Sequence, residues 1–415
     1  MRFVIIGAGL AGITSAWELI RDGHEVTIID QGTEPANFSS HANAGLICPG
    51  HAFAWASPAA PMMMLKSLWK NDQALRFRPR LDTRQWNWIA LFLRQCTSAR
   101  ARINTERKYH LCSYSQMKLK EIVEETGISY DQKTNGLIYF YKTENSFELA
   151  RKKSKLLESF GLQVEALGIE ELIEIDPGLI SAKEQITGGL YCPTDESGDS
   201  RLFTLKLANL CEKNGAKFIM NTVAKKMVRA SNRIVAVETN LGHIESDGFL
   251  VSSGVGSPGL LKNIGISIPI YPVKGYSVTL PVTSSNQPPY LGGVDEDSLL
   301  AYCPLGDRLR ITATAEISGY DTSYKAGDFR IMLKKVKELL PLAADYDKPS
   351  YWACLRPMRP TGLPFVDRTH YSNLWLNAGH GHMGWTMACG TAKIIADIIA
   401  NRPPDIPLDG MMINH

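Results

Sequence analysis

Three glycines near the start of the chain, and one acid beyond them, have the types and spacing to hold a dinucleotide. Gly7, Gly9 and Gly12, with Ala8, Leu10 and Ala11 between them, spell G-x-G-x-x-G. In such a turn the first glycine lets the backbone reverse, the second lets a pyrophosphate approach, and the third lets a helix pack on the preceding strand. The helix N-terminus offers free N–H groups and a positive dipole end to the phosphates. Asp30 follows Gly12 by eighteen residues, where a carboxylate accepts from a ribose hydroxyl.

The elements needed to position these residues can be read around them. Phe3 to Ile6 is an apolar run expected to form a strand buried on both faces. From Ile13 the chain reads as a helix that includes Trp17 and closes at Gly23. Glu25 to Ile29 reads as a second strand, tipped by Asp30 and Gln31. The loop that follows contains Ser40, Asn43, Ala44, Gly45 and Leu46, small and polar residues suited to a backbone passing close to a ligand. An ordinary βαβ unit would not need glycines, helix, second strand and acid in this order.

At 415 residues the chain can bury two or three domains, and 44% hydrophobic with 21% charged residues is a globular composition. With Phe3 already in a strand, no targeting segment is expected, and no apolar run reaches the ~18 residues of a membrane span. Eight scattered cysteines without a C-x-x-C pair fit a reducing compartment and no zinc or iron–sulfur site. His380 and His382 are not spaced as metal ligands, so no metal is expected. The net charge of +3 is unevenly spread. Met62 to His110 holds eleven Lys and Arg against three acids, a net +8 interleaved with Met, Leu, Trp69, Trp86 and Trp88. Two readings stand side by side here, an anionic membrane surface and a solvated basic helix face. No motif for nucleic acid is present.

Further along, Leu65 to Glu125 is mainly helical by period, and Leu137 to Tyr141 reads as a strand. A turn-rich connector spans Thr187 to Asp199. Strand patterns return near Val223 and end at Gly254 after a buried run. Tyr276–Leu280, Leu299–Tyr302 and Leu309–Ala313 look like antiparallel strands. A strand at Leu374–Asn377, a glycine loop through Gly379, His380, Gly381 and Gly384, and a helix from Trp385 and Thr386 repeat the strand–glycine–helix design. The expected fold is α/β plus α+β. A Rossmann-like FAD-binding domain (1–56, 146–260 and 352–412) carries an inserted, mixed antiparallel substrate domain (57–145 and 261–351). Nucleotide-domain segments at both chain ends suit a long FAD better than a simple nicotinamide cofactor.

The chain resembles the bacterial D-amino acid dehydrogenases of the D-amino acid oxidase and glycine oxidase superfamily. The likeness rests on Phe3–Trp17, Ser40–Gly45, Gly188–Leu190, Asp195–Asp199, Tyr271–Ser277, Leu355–Met358 and Gly379–Gly390. It implies non-covalent FAD, oxidative deamination of a D-alanine-like substrate to a 2-oxo acid and ammonia, and an acceptor other than oxygen, such as membrane quinone. A glycine or secondary-amine oxidase and a D-proline or D-hydroxyproline dehydrogenase are the close alternatives. The arginine of Leu355-Arg356-Pro357 is the implied carboxylate clamp, a role its planar fork suits. Tyr302 and Tyr276 are candidate substrate contacts, with a core position as the plainer reading of each. His51 could line the pocket, though a surface loop is the commoner place for such a residue. Val223 and Gly254 join the cofactor residues named above. Thr361-Gly362 stands where the family has Asp-Gly, and Cys354 where it has glycine. A flavin-bonded cysteine lies nearby in a related branch, whereas buried cysteine is usually a small apolar residue. The implied setting is cytoplasmic, peripheral on the inner membrane face.

Overall fold

The computed structural model describes residues 1–67 and 75–413. Strand β1 (Arg2–Ile6) is buried along four of its five residues, and it is followed by helix α1 (Leu10–Arg21) and strand β2 (Glu25–Ile29). The glycine turn between β1 and α1 is sterically compulsory. A Cβ on Gly7 would stand 2.5 Å from the Ser252 carbonyl oxygen, and one on Gly12 only 1.9 Å from the Gly7 carbonyl oxygen. Gly7 also has φ +116°, outside the range most side chains tolerate.

β1 lies at the centre of a six-stranded sheet. From one edge the order is Phe365–Arg368, Leu374–Ala378, Gly248–Val251, β1, β2 and Lys217–Ile219. All neighbours are parallel except the first pair. Segments from the start, middle and end of the chain thus build one nucleotide sheet. The helix Gly384–Ile399 is buried along most of its length because α1 packs on one side and the long helix Ser98–Thr126 on the other.

A nine-stranded sheet forms the second layer system. Its main path runs Ser350–Met358, Tyr271–Pro281, Arg308–Ile317, Leu300–Leu305, Gly292–Asp295, Leu137–Tyr141, Gly188–Cys192 and Glu165–Gly168, with Leu75–Phe77 paired beside Arg308–Ile317. Ser350–Met358 is an edge strand, which is why it tolerates Pro357 opposite Pro272.

The sheets divide along lines different from the expected segments. Strands at 165–168 and 188–192 pair in the large sheet, although 146–260 is expected in the nucleotide domain, and so does most of 352–358. The stretch read as a connector at Thr187 begins with a strand. Its glycines serve close approach, since a Cβ on Gly188 would meet the Phe147 ring at 2.5 Å and one on Gly189 the Tyr139 carbonyl oxygen at 2.9 Å. The block expected to be helical, Leu65 to Glu125, takes in the end of the helix Ala60–Lys66, the helix Thr83–Gln95 and nearly all of Ser98–Thr126, with the strand Leu75–Phe77 interposed.

Candidate active site

A cavity of about 870 Å³ opens between the two large sheets, and it collects nearly every residue singled out above. Gly7, Gly9, Leu10 and Ala11 line it at the start of α1. Gly9 caps that helix without a side-chain cap of its own, and Gly9, Leu10 and Ala11 of the first turn border the space. The Leu10 N–H donates to Ser40 Oγ at 3.0 Å, which fastens the following loop to the helix. Asp30 and Gln31 line the same end with Val223 and Gly254. The Asp30 carboxylate accepts from the Ala8 and Gly32 N–H groups, each at 2.7 Å, so it clamps the glycine turn and its own loop together. Ala8 acts through that bond.

Asn43, Ala44, Gly45 and Leu46 form another stretch of wall. Gly45 has φ +75°, and a Cβ there would lie 2.8 Å from Cys303 Sγ. The C-terminal glycine loop closes the cavity with His380, Gly381, Gly384, Trp385 and Thr386. The His380 ring is bonded to Thr391 Oγ1 at 2.9 Å, and burial pushes its pKa down to about 4, so it is a neutral structural group. Five expected cofactor residues do not line the cavity, Ala8 among them. Phe3 packs on Trp375 and His24, Trp17 fills the core, Gly12 seats α1 against Gly7, and Gly379 turns the chain beside Ile270 and Phe365.

Arg356 stands on the edge strand Ser350–Met358 and lines the cavity. Its guanidinium lies against the bare backbone of Gly275 on the neighbouring strand. A Cβ there would come within 2.7–2.9 Å of Nη2, Cζ and Nε. Burial pulls the Arg356 pKa down to about 10, and among the described residues no hydrogen-bond acceptor or carboxylate engages it. A buried cation without a partner is costly unless an anion arrives. A β-bulge between Gly275 and Tyr276 lets both face the cavity, with the Tyr276 ring edge-on to Phe329.

Tyr302, a candidate substrate contact, does not line the cavity. Side chains alternate along its strand, so Ala301 faces the cavity and Tyr302 the opposite side, fully buried with Phe140 and Ile138. Cys354 lines the cavity, its thiol pKa raised by burial.

Two aromatic stacks stand at the cavity, with Trp55, His382 and Trp352 lining it. Trp55 lies on His382 (4.6 Å between rings) and Trp352 on His41 (4.2 Å). His51 also lines the cavity. Its short helical turn is held by the Asp195 carboxylate, which accepts from the Gly50 N–H and the Tyr139 hydroxyl. The irregular stretch Cys48–Trp55 gave no periodic pattern to reveal this. Among the described residues no cluster of His, Cys, Asp and Glu could hold a metal ion, and no helix is long and apolar enough to cross a membrane.

Fold and site together define a protein with a dinucleotide-type glycine turn and a cavity-lining guanidinium that no described residue engages. Residues 2–398 match the family described as FAD dependent oxidoreductase, and the chain belongs to that family. FAD is its cofactor, and the bare glycine turn before α1 fits the pyrophosphate of such a group. The chain is 42% identical to D-amino acid dehydrogenase 2 of Mesorhizobium japonicum, over 99% of both chains. It is 40% identical to the D-amino acid dehydrogenase of Agrobacterium fabrum, over 100% of this chain and 99% of that one. In fold it is similar to glycine oxidase from Geobacillus kaustophilus, with TM-score 0.75 and 22% identity over 100% of this chain and 99% of that one.

Proposed function

We propose that this protein is an FAD-dependent D-amino acid dehydrogenase that converts D-alanine-like substrates to 2-oxo acids and ammonia. The observation that carries the reading is Arg356, a cavity-lining guanidinium without a partner among the described residues. An α-amino acid brings the carboxylate that such a group requires, and a planar fork grips it bidentately. The D configuration comes from the relatives that carry that name.

The α1 turn at Gly9–Ala11 would hold the pyrophosphate and Asp30 the ribose. Gly45, Leu46 and the loop Gly381–Thr386 would border the ring system. FAD, when bound, supplies the hydride acceptor. The chain supplies orientation, with the carboxylate fixed at Arg356, Tyr276 beside it, and the aromatic stacks narrowing access for water. Quinone is the proposed electron acceptor, which places the protein at the cytoplasmic membrane face.

The test is anaerobic. D-alanine mixed with the purified yellow protein under argon should bleach the flavin, and L-alanine should not. Turnover in air should then reduce a quinone analogue with little peroxide. A flavin unchanged by every D-amino acid would overturn the activity, and stoichiometric peroxide would overturn the acceptor.

A further inference from the structure

An amino acid enters such a site as a zwitterion, and its ammonium must lose a proton before the amine lone pair can assist departure of the Cα hydride. We propose that His51, oriented by Glu296, accepts that proton, a role that rests on the function proposed above.

The geometry assembles a base with a defined tautomer. His51 lines the cavity, and its Nε2 is 2.9 Å from Glu296 Oε1. Its ring lies over Tyr139, 5.6 Å away and nearly parallel. The carboxylate fixes Nε2 as the protonated nitrogen, which leaves Nδ1 as the acceptor. No described residue engages Nδ1. The backbone beneath is closely packed, since a Cβ on Gly50 would fall 2.5 Å from an Asp195 oxygen and 2.9 Å from Cys192 Sγ.

His51 is also placed near the clamp. His382 lies close enough to both His51 and Arg356 for each charge to oppose its own protonation. His51, His382 and Arg356 line one cavity, and in this proposal the substrate amine is on the His51 side of a carboxylate held at Arg356.

The charges around His51 favour its protonated form. Burial works against the imidazolium. Glu296 outweighs this by charge and by hydrogen bond, Asp195 adds to it and Lys108 opposes it, so the His51 pKa stands above the ordinary histidine value. Lys108 is itself buried, bonded to the Phe53 carbonyl and lowered to about 8. The competing groups are unsuited. His382 is held well below its usual pKa, His380 is lowered to about 4, and the Tyr276 hydroxyl is raised to about 12.

In the step, one ammonium N–H bond breaks and a Nδ1–H bond forms. The imidazolium keeps its Nε2–H on the Glu296 carboxylate. No electron leaves or enters, and the amine lone pair is freed. Glu296 is partly exposed, so the proton has a route to water.

The experiment follows kcat/KM for D-alanine against pH, with the flavin spectrum as the measure of intact folding. Wild type should rise through an ionisation above pH 6.5, because only neutral His51 accepts. His51→Gln should lose that ionisation, fall roughly a hundredfold at pH 7, and recover in alkali where the amine deprotonates unaided. Glu296→Gln should move the ionisation to lower pH. Independently of turnover, the His51 ring resonances in ¹⁵N NMR should titrate above 6.5 in wild type and lower in Glu296→Gln. A wild-type pH profile in His51→Gln overturns this role and leaves the proposed function standing. A wild-type flavin that no amino acid bleaches overturns both.

Discussion

A half-buried guanidinium against a bare glycine backbone, as Arg356 is against Gly275, costs free energy until an anion reaches it. Arg356→Ala should therefore lower kcat/KM by the equivalent of about 2–5 kcal/mol, with flavin content unchanged. Gly275→Ala tests the same contact from the other side. The added methyl displaces the guanidinium, so KM should rise at least roughly tenfold while flavin stays bound, as expected for a lost binding contact. Steady-state kinetics beside flavin absorbance check both. Arg356 was legible because the stretch Leu355–Met358 is shared with a known family. His51 was legible only as a weak candidate, since its partner Glu296 lies far along the chain and nothing local pairs them. Tyr302 misled because a strand residue's face depends on the phase its partners impose, and those partners lie in separate segments.

At the scale of the element, the nucleotide unit was legible because every local signal agreed: an apolar strand, fixed glycines, a helix and an acid. The strand Gly188–Cys192 was not. Two adjacent glycines read as a turn, whereas the fold uses them to bring the strand against Phe147 and the backbone of Tyr139. Gly188→Val should cost about 3 kcal/mol, the upper end for overpacking, because the Leu167 carbonyl beside it cannot yield. Chemical denaturation should show it. Gly127 is the left-handed cap of the helix Ser98–Thr126, and a methyl added to it would meet nothing within 4 Å. Gly127→Ala meets only the backbone penalty, so a loss of about 1 kcal/mol is expected there.

At the scale of the molecule, the basic segment resolves into two faces. Met62, Leu65, Trp86 and Leu93 are exposed, with Met62 at 56% and Trp86 at 48%. Trp88, expected at an interface, turns inward at 3% and donates its indole N–H to the Met358 carbonyl at 2.8 Å; Lys108 is buried as well. Trp69 lies outside the described residues. The exposed set still combines apolar anchors with Lys66, Arg84 and Arg94, so the protein should sediment with anionic liposomes at low salt and wash off at high salt. Trp86→Ala should weaken that sedimentation, and failure of the wild type to sediment would leave the segment a solvated basic face. The central place of β1 has a consequence in time. Its neighbour Gly248–Val251 and the next strand, Leu374–Ala378, are made long after it. At ~5–20 residues per second, the ribosome takes roughly 20–75 s to reach Leu374. For that interval the first apolar strand waits with its sheet incomplete, so chaperone protection during synthesis matters more here than for a protein whose nucleotide unit closes locally.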